Sequence, residues 1–205
     1  MLEVFFDCSS PWTYLAFHNI QPLAAEAGVT IAWRPILVGG VFNTVNGSVY
    51  ESRQHPVPLK AAYAAKDLQD WARQAGLKIK MPPSVFPVNS VKAMRGCIVL
   101  APQGRLVDFA TAIFQLYWGE DQDISRDEVL REACRRIDVE PDPLLNAISA
   151  QPVKDQLKAN TDALMARGGF GSPTIFVNGD DMYFGNDRLP LIRDALTHAR
   201  VMAAS

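Results

Sequence analysis

The sequence predicts an α/β fold in which a sheet domain, built from both ends of the chain, is interrupted by a large helical insertion. Residues 2–35 follow the pattern strand, helix, strand, and residues 174–198 follow the pattern strand, strand, helix. Between these two parts, apolar residues recur at helical spacing. We therefore expect a discontinuous α/β domain of residues 1–44 and 166–205 around an all-helical segment at 45–165.

The N-terminal elements follow from apolar runs and from the residues that end them. The run Val4-Phe5-Phe6 predicts a short buried strand, and Gly28 suits the left-handed turn after a helix over Pro11–Ala27. Val29–Pro35 has the alternation of a second strand and stops at a proline. Together these segments have the length of a β-α-β unit.

The C-terminal elements are marked by a turn signal. Thr174–Val177 and Met182–Phe184 flank Asn178-Gly179-Asp180, and the Asn-Gly pair favours the tight turn of a hairpin. A final helix is expected from about Asp187 to His198.

The insertion is predicted to be helical with two interruptions. Ser125 and Glu128 have the spacing of a capping box. Gly39–His55 and Lys80–Asn89 are rich in Gly, Pro or Asn, and we expect them to be loops that line a site. The expected helices are Pro58–Ala75, Ser90–Leu100, Arg105–Trp118, Ser125–Arg136, Pro143–Ile148 and Pro152–Arg167.

Composition and charge limit the partners. The 205 residues carry a net charge of −2 and lack the clustered basic and aromatic residues of a nucleic-acid-binding surface. Neither a signal segment nor a run of ~18 apolar residues occurs, so we expect a cytoplasmic protein without a membrane span. Cys8, Cys97 and Cys134 are widely spaced, which disfavours disulfides and a metal site. A small organic molecule is the expected ligand.

Ser10 is the first candidate site residue. It lies between the first strand and the first helix and precedes Pro11, which fits a helix N-cap with proline at the first helical position. The sequence around Ser10 lacks a Gly-x-Ser-x-Gly elbow, and no histidine is evident as its base. We therefore do not expect Ser10 to be a nucleophile. Its hydroxyl could instead donate to a ligand thiolate: a hydrogen bond to a charged acceptor contributes ~1.5–3 kcal/mol and a helix N-terminus up to ~2 kcal/mol. The alternative is that Ser10 only caps its helix.

Two further clusters lie near the C-terminal strands. Ser172-Pro173 enters the third strand, and its main chain would face a neighbouring ligand if the peptide bond were cis; alternatively the proline only makes a turn. Asn186 and Asp187 stand at another helix start, where they either cap the helix or bind an amino-acid-like group.

The order and spacing of several motifs resemble one known group. The chain is similar over nearly its whole length to the 2-hydroxychromene-2-carboxylate isomerases and the related kappa-class glutathione transferases, which share a DsbA-like thioredoxin fold with a helical insertion. The resemblance is carried by Ser10-Pro11, Lys60-Ala61-Ala62-Tyr63, Lys66-Asp67-Leu68, Phe86-Pro87-Val88-Asn89, Trp118-Gly119, Ser172-Pro173-Thr174 and Phe184-Gly185-Asn186-Asp187-Arg188.

The resemblance implies glutathione as cofactor, an aromatic carboxylate as substrate and a homodimer. Ser10 would then hold the thiolate, and the main chain of Ser172 before Pro173 would pair with the peptide part of glutathione. Asn186 and Asp187 would bind the γ-glutamyl end of glutathione. Asn46 and Lys60 would bind either other polar groups of glutathione or the substrate carboxylate, and Asn89 would bind the substrate.

Two departures from related patterns bear on the activity. Thiol–disulfide oxidoreductases of this fold carry Cys-x-x-Cys where this chain has Ser10-Pro11-Trp12-Thr13, so disulfide exchange through that motif is excluded. Ser172 stands where an apolar side chain is common, and we expect a more polar pocket. A glutathione-dependent isomerase is the favoured hypothesis, with a kappa-like glutathione transferase and a non-catalytic thioredoxin-like binding module as alternatives.

Overall fold

The sheet has four strands and is mixed. The computed structural model describes residues 1–203, with side chains through residue 198. The strands lie in the order β2-β1-β3-β4, with β1 parallel to β2, antiparallel to β3, and β3 antiparallel to β4. Their bounds are β1 Leu2–Phe6, β2 Ile31–Pro35, β3 Thr174–Val177 and β4 Asp181–Phe184. Both predicted strand patterns are therefore confirmed.

Both faces of the central strand β1 are covered, which explains why its apolar run does not alternate. Val4 and Phe6 belong to the main core, which includes α1 (Pro11–Glu26) and much of the insertion. Phe5 points to the other face and packs with Ile36 and Phe176 in a second, smaller core. The last helix, α10, spans Leu189–Ala203 and packs beside α1. Residues 204 and 205 of the predicted domain lie outside the described residues.

The insertion is helical, as predicted, with differences in two places. The segment 39–55 was expected to be a loop, but it forms two helices. The capping box is also wrong: α7 begins at Asp127, Arg126 is its N-cap, and the Ser125 hydroxyl donates to Asp123. The helices are α2 Val38–Val45, α3 Ser48–Gln54, α4 Pro58–Gln74, α5 Val91–Leu100, α6 Leu106–Phe114, α7 Asp127–Arg136, α8 Pro141–Ala147 and α9 Gln151–Ala166.

Shorter turns complete the chain. A π-helical turn at Gln115–Gly119 continues α6, and 3₁₀ turns occur at Ala101–Gln103 and Asn186–Arg188. The segment 80–89 is irregular, as expected. In the β3–β4 hairpin, Asn178 and Gly179 both have positive φ, which confirms the predicted turn. Among the described residues, no helix has the length and apolarity that crossing a bilayer requires.

Candidate functional site

Ser10 is the N-cap of α1. Its backbone is extended (φ −112°, ψ 126°), Pro11 is the first helical residue, and the Ser10 Oγ accepts a hydrogen bond from the Thr13 N–H at 3.3 Å. The same hydroxyl donates to the main-chain carbonyl of Ser172 at 3.4 Å. The predicted cap is therefore present, and the hydroxyl proton points toward the loop that enters β3.

The Ser172–Pro173 peptide bond is cis. The Ser172 side chain turns inward: its Oγ accepts from the Asp7 N–H at 3.0 Å and lies 2.8 Å from the Thr13 Oγ1. The hydroxyl is thus engaged in the interior, contrary to the expectation that Ser172 makes the pocket more polar. Its carbonyl, by contrast, lies beside Ser10.

Hydrogen bonds to Asp7 connect the segments around Ser10. It follows β1 directly and is buried, and its Oδ1 accepts from the Ser9 N–H at 2.9 Å while its Oδ2 accepts from the Val38 N–H at 2.8 Å. Burial raises the pKa of the Asp7 carboxyl, and the hydrogen bonds from Ser9 and Val38 oppose that rise. One carboxyl group thereby joins the loop before α1 to the first turn of α2.

Cys8 is not available for chemistry. Its side chain is fully buried, burial raises the pKa of its thiol well above the ordinary value, and the neighbouring Cys97 thiol adds to the rise. Its backbone is also tied down, because the Trp118 Nε1 donates to the Cys8 carbonyl at 2.9 Å. Cys97 and Cys134 are free and buried as well.

Ser10 opens into a cavity of about 740 Å³ between the sheet domain and the insertion. The walls come from the start of α1, from α2 and α3, and from the irregular segment 86–90. A second cavity of about 360 Å³ adjoins it and shares Trp12, Ser172 and Phe184 as lining residues. Because the two cavities share these walls, they are adjacent and together make up the candidate site.

The predicted site residues fall into three groups. Ser10, Asn46, Asn89 and Ser172 line the larger cavity, whereas Pro173, Asn186 and Asp187 join Ser172 in the smaller one. Lys60 lines neither and is exposed near the start of α4.

The amides in the site differ in how they are bonded. The Asn46 Nδ2 donates to the Phe170 carbonyl at 3.0 Å, and the Asn89 Oδ1 accepts from the Val91 N–H at 3.1 Å. Asn186 is 3 % exposed: its Oδ1 accepts from Asn19, but its Nδ2 has no partner among the described residues. It therefore has one donor group left for a ligand. Asn186 and Asp187 lie within the 3₁₀ turn Asn186–Arg188, whose N-cap is Gly185, so neither is the predicted cap of that turn.

Sequence reasoning missed residues that tertiary packing brings to the site. Tyr50 and Arg53 reach the larger cavity because the segment 39–55 is helical rather than a loop. Asp67 and Trp71 of α4 line the smaller cavity. Asp67 belongs to the Lys66-Asp67-Leu68 motif of the family resemblance, and this motif was the one sequence feature that could have identified Asp67 as a site residue. Within the described part of the chain, no group of His, Cys, Asp or Glu side chains is arranged to hold a metal ion.

The sequence comparison decides the family. The DsbA-like thioredoxin domain matches residues 1–197. The chain belongs to the DsbA-like thioredoxin family. Within this DsbA-like family, it is 27 % identical over 198 residues to the 2-hydroxychromene-2-carboxylate isomerase of Pseudomonas putida, covering 96 % of this chain and 94 % of the relative. It is 25 % identical over 207 residues to glutathione S-transferase kappa 1 of Rattus norvegicus, covering 94 % and 88 %.

The DsbA-like fold also matches a solved relative. A structure of a 2-hydroxychromene-2-carboxylate isomerase aligns with a TM-score of 0.83, 24 % identity, and coverage of 99 % of this chain and 97 % of that one. The predicted fold class, a thioredoxin-like domain with a helical insertion, is confirmed. The predicted kinship with these isomerases is confirmed as well, and relatives of that class are consistent with an isomerase.

Proposed function

We propose that this protein is a glutathione-dependent isomerase of 2-hydroxychromene-2-carboxylate, or of a similar intermediate of aromatic catabolism, giving trans-o-hydroxybenzylidenepyruvate. The observation that carries the proposal is the Ser10 hydroxyl, which lies at the N-terminus of α1, beside the Ser172 carbonyl, in the larger cavity. The named relatives, isomerases and a glutathione transferase, support the same choice.

The donors and acceptors of the site fit an extended tripeptide. Ser10 would face the thiolate, and the main chain of Ser172 would pair with the peptide groups. The buried Asn186 Nδ2 without a partner would take an acceptor oxygen of the γ-glutamyl end. Asp67 lines the same small cavity and would attract the ammonium group, together with Asp187, which also pairs with Arg188 at 2.6 Å.

Bound glutathione would supply a thiolate that adds reversibly to a conjugated carbon of the substrate, so that rotation can occur about a single bond. The chain's own part is to stabilise that negative charge. A donated hydrogen bond of ~1.5–3 kcal/mol and the helix N-terminus, at up to ~2 kcal/mol, together lower a thiol pKa from ~8.5 to roughly 6–7. To donate this hydrogen bond to the thiolate, the Ser10 hydroxyl must turn away from the Ser172 carbonyl and toward the ligand.

The larger cavity has room for the substrate beside the thiol. We propose that Asn89 contacts it there and that Asn46 serves a polar group of glutathione, since both line that cavity. Lys60 lies outside both cavities of its own chain, so a role for it in binding requires a second copy.

Turnover with limiting glutathione tests the proposal and separates it from the alternatives. We expect isomerisation of the hydroxychromene carboxylate to proceed to completion with trace glutathione and to stop without it. S-methylglutathione, which has no thiol, is the matched control and should not replace it. Consumption of one glutathione per product would instead establish the transferase.

A non-catalytic binding module is the third possibility. It predicts no saturable heat of glutathione binding by titration calorimetry, and that result would overturn the proposed site itself.

We also propose that the protein is a cytoplasmic homodimer. Three free, buried cysteines suit a reducing compartment, and cell fractionation would test this location. The first turns of α4 expose Leu59 and Tyr63, two large apolar side chains that a second copy would cover.

A further inference from the structure

Arg53 of α3 is held at the larger cavity by two aromatic rings. Its guanidinium carbon lies 5.8 Å from the centroid of the Phe42 ring of α2 and 5.3 Å from that of the Phe86 ring. Contacts of this kind orient a guanidinium without neutralising its charge. All three residues line the larger cavity, and none of them lines the smaller one.

The charge of Arg53 is not balanced by any described residue. Among the described residues that line the larger cavity, Arg53 is the single cationic side chain. No ion pair joins it to a carboxylate among the described residues. The one acidic lining residue, Asp7, is buried and hydrogen-bonded to the backbone of Ser9 and Val38. The cavity therefore presents one planar cation that has donors free for an anion.

The walls around this cation are flat and apolar. The Phe42 ring packs edge-on against Tyr50, with centroids 6.1 Å apart, and the Phe86 ring lines the same cavity. A guanidinium fork matches a carboxylate through two parallel hydrogen bonds, whereas the rings suit the face of an aromatic group. Together they are complementary to a planar aromatic acid.

We propose that Arg53 binds the carboxylate of the aromatic substrate and thereby determines the specificity for acids. This inference rests on the proposed function. It assigns to Arg53 the carboxylate contact for which the family resemblance made Lys60 and Asn46 candidates. The glycine carboxylate of glutathione offers the same chemistry. The substrate is favoured because the rings beside Arg53, those of Phe42 and Phe86, suit an aromatic group, which the glycine end of glutathione lacks.

The test compares Arg53→Gln and Arg53→Lys with an acid and its methyl ester. For the hydroxychromene carboxylate, we expect Arg53→Gln to lower kcat/KM by about 10- to 100-fold. For the ester, the same substitution should change kcat/KM by less than about 3-fold, because no charged contact is lost. Arg53→Lys should restore part of the loss for the acid, since it keeps the charge but not the fork. Arg73→Gln, at an exposed arginine of α4 that lines neither cavity, is the matched control and should leave both values unchanged.

Glutathione affinity, measured by titration calorimetry, separates the two carboxylates. We expect the Kd of glutathione to be the same in wild type and Arg53→Gln. A weaker Kd for glutathione together with an unchanged Kd for γ-glutamylcysteine would assign Arg53 to the glycine carboxylate and overturn the inference. Equal losses for acid and ester would overturn it too. If wild type itself does not bind glutathione, the proposed function fails first, and that outcome is distinct from the other two.

Discussion

Ser10 has one proton to donate, and in the free protein it donates to the Ser172 carbonyl at 3.4 Å. That distance is long for a hydroxyl donor, so exchanging this partner for a thiolate, a charged acceptor, is favourable. The sequence predicted the cap at Ser10 because Ser-Pro after a strand is a local signal. It did not predict the role of Asp7, whose partners come from Ser9 and from the first residue of α2.

Ser172 shows the same limit for a single side chain. The sequence shows that residue 172 is a serine, but the orientation of its side chain depends on the Asp7 N–H and the Thr13 hydroxyl. The fold brings these two groups beside it. Arg53 is a third case, since only the packing of α2 and of residues 80–90 brings Phe42 and Phe86 beside it. Contacts between residues far apart in sequence leave no local pattern to read.

The helices α2 and α3 are the elements that the sequence misjudged. Gly39, Gly40 and Asn46 have low helix propensity, which favoured a loop. Tertiary burial overrides that preference in α2, because Val41 packs with Phe5 and Ile36 beneath the sheet. α3 has no buried residue among those described, yet it carries Tyr50 and Arg53 to the cavity. Patterns with strong local signals, such as the hairpin and α1, were predicted within a residue or two.

Glu3 of β1 links three elements and predicts how stability depends on pH. It accepts a hydrogen bond from Arg34 of β2 at 2.7 Å and another from Arg167, the C-cap residue of α9. Burial acts to raise the pKa of Glu3, but the two guanidiniums outweigh it and hold the pKa below its ordinary value of 4.5. A depressed folded-state pKa contributes stability above the unfolded value, and this contribution is lost as the pH falls through the folded value.

We therefore expect Glu3→Gln to lower the free energy of unfolding by about 1–3 kcal/mol at pH 7. The difference from wild type should shrink as the pH falls below 4.5, because the carboxyl is protonated first in the unfolded state and then, below its lower folded-state pKa, in the folded protein. Denaturant unfolding at a series of pH values measures the difference in free energy of unfolding between wild type and Glu3→Gln. Glu26→Gln, which removes an exposed carboxylate paired with Arg193, is the matched control and should show little change. A difference for Glu3→Gln that does not vary with pH would contradict the account.

In the molecule as a whole, the insertion and the sheet domain build the site jointly. The sheet domain supplies Ser10 and Ser172, while segments within residues 45–165 supply Arg53 and Phe86. Trp118 lines neither cavity, but it donates a hydrogen bond to the Cys8 carbonyl in the loop before α1. We propose that the sheet domain and the insertion divide at residues 44 and 166. The site contains residues from both sides of that division. Motif order along the chain was sufficient to predict the fold, because family motifs fix topology. It was not sufficient for the cavity, whose walls meet only after packing.

The proposed dimer predicts a mass near twice the 22.6 kDa of one chain by light scattering. Leu59 is 85 % exposed on α4, and Leu59→Asp should shift the protein toward the monomer because it places a charge where apolar contact is expected. Leu191→Asp, at a half-exposed leucine of α10, is the matched control and should leave the mass unchanged. A monomeric mass for wild type at micromolar concentration would refute the dimer.

The pKa of glutathione bound to wild type and to Ser10→Ala, followed by thiolate absorbance, tests the central claim most directly. We expect a pKa of roughly 6–7 in wild type and a rise of about 1–2 units in Ser10→Ala, with isomerase activity lowered about 10- to 100-fold. Ser10→Thr keeps a capping hydroxyl and should retain most of the effect. If bound glutathione has the same thiol pKa in wild type and Ser10→Ala, Ser10 does not activate the thiol and the account is contradicted.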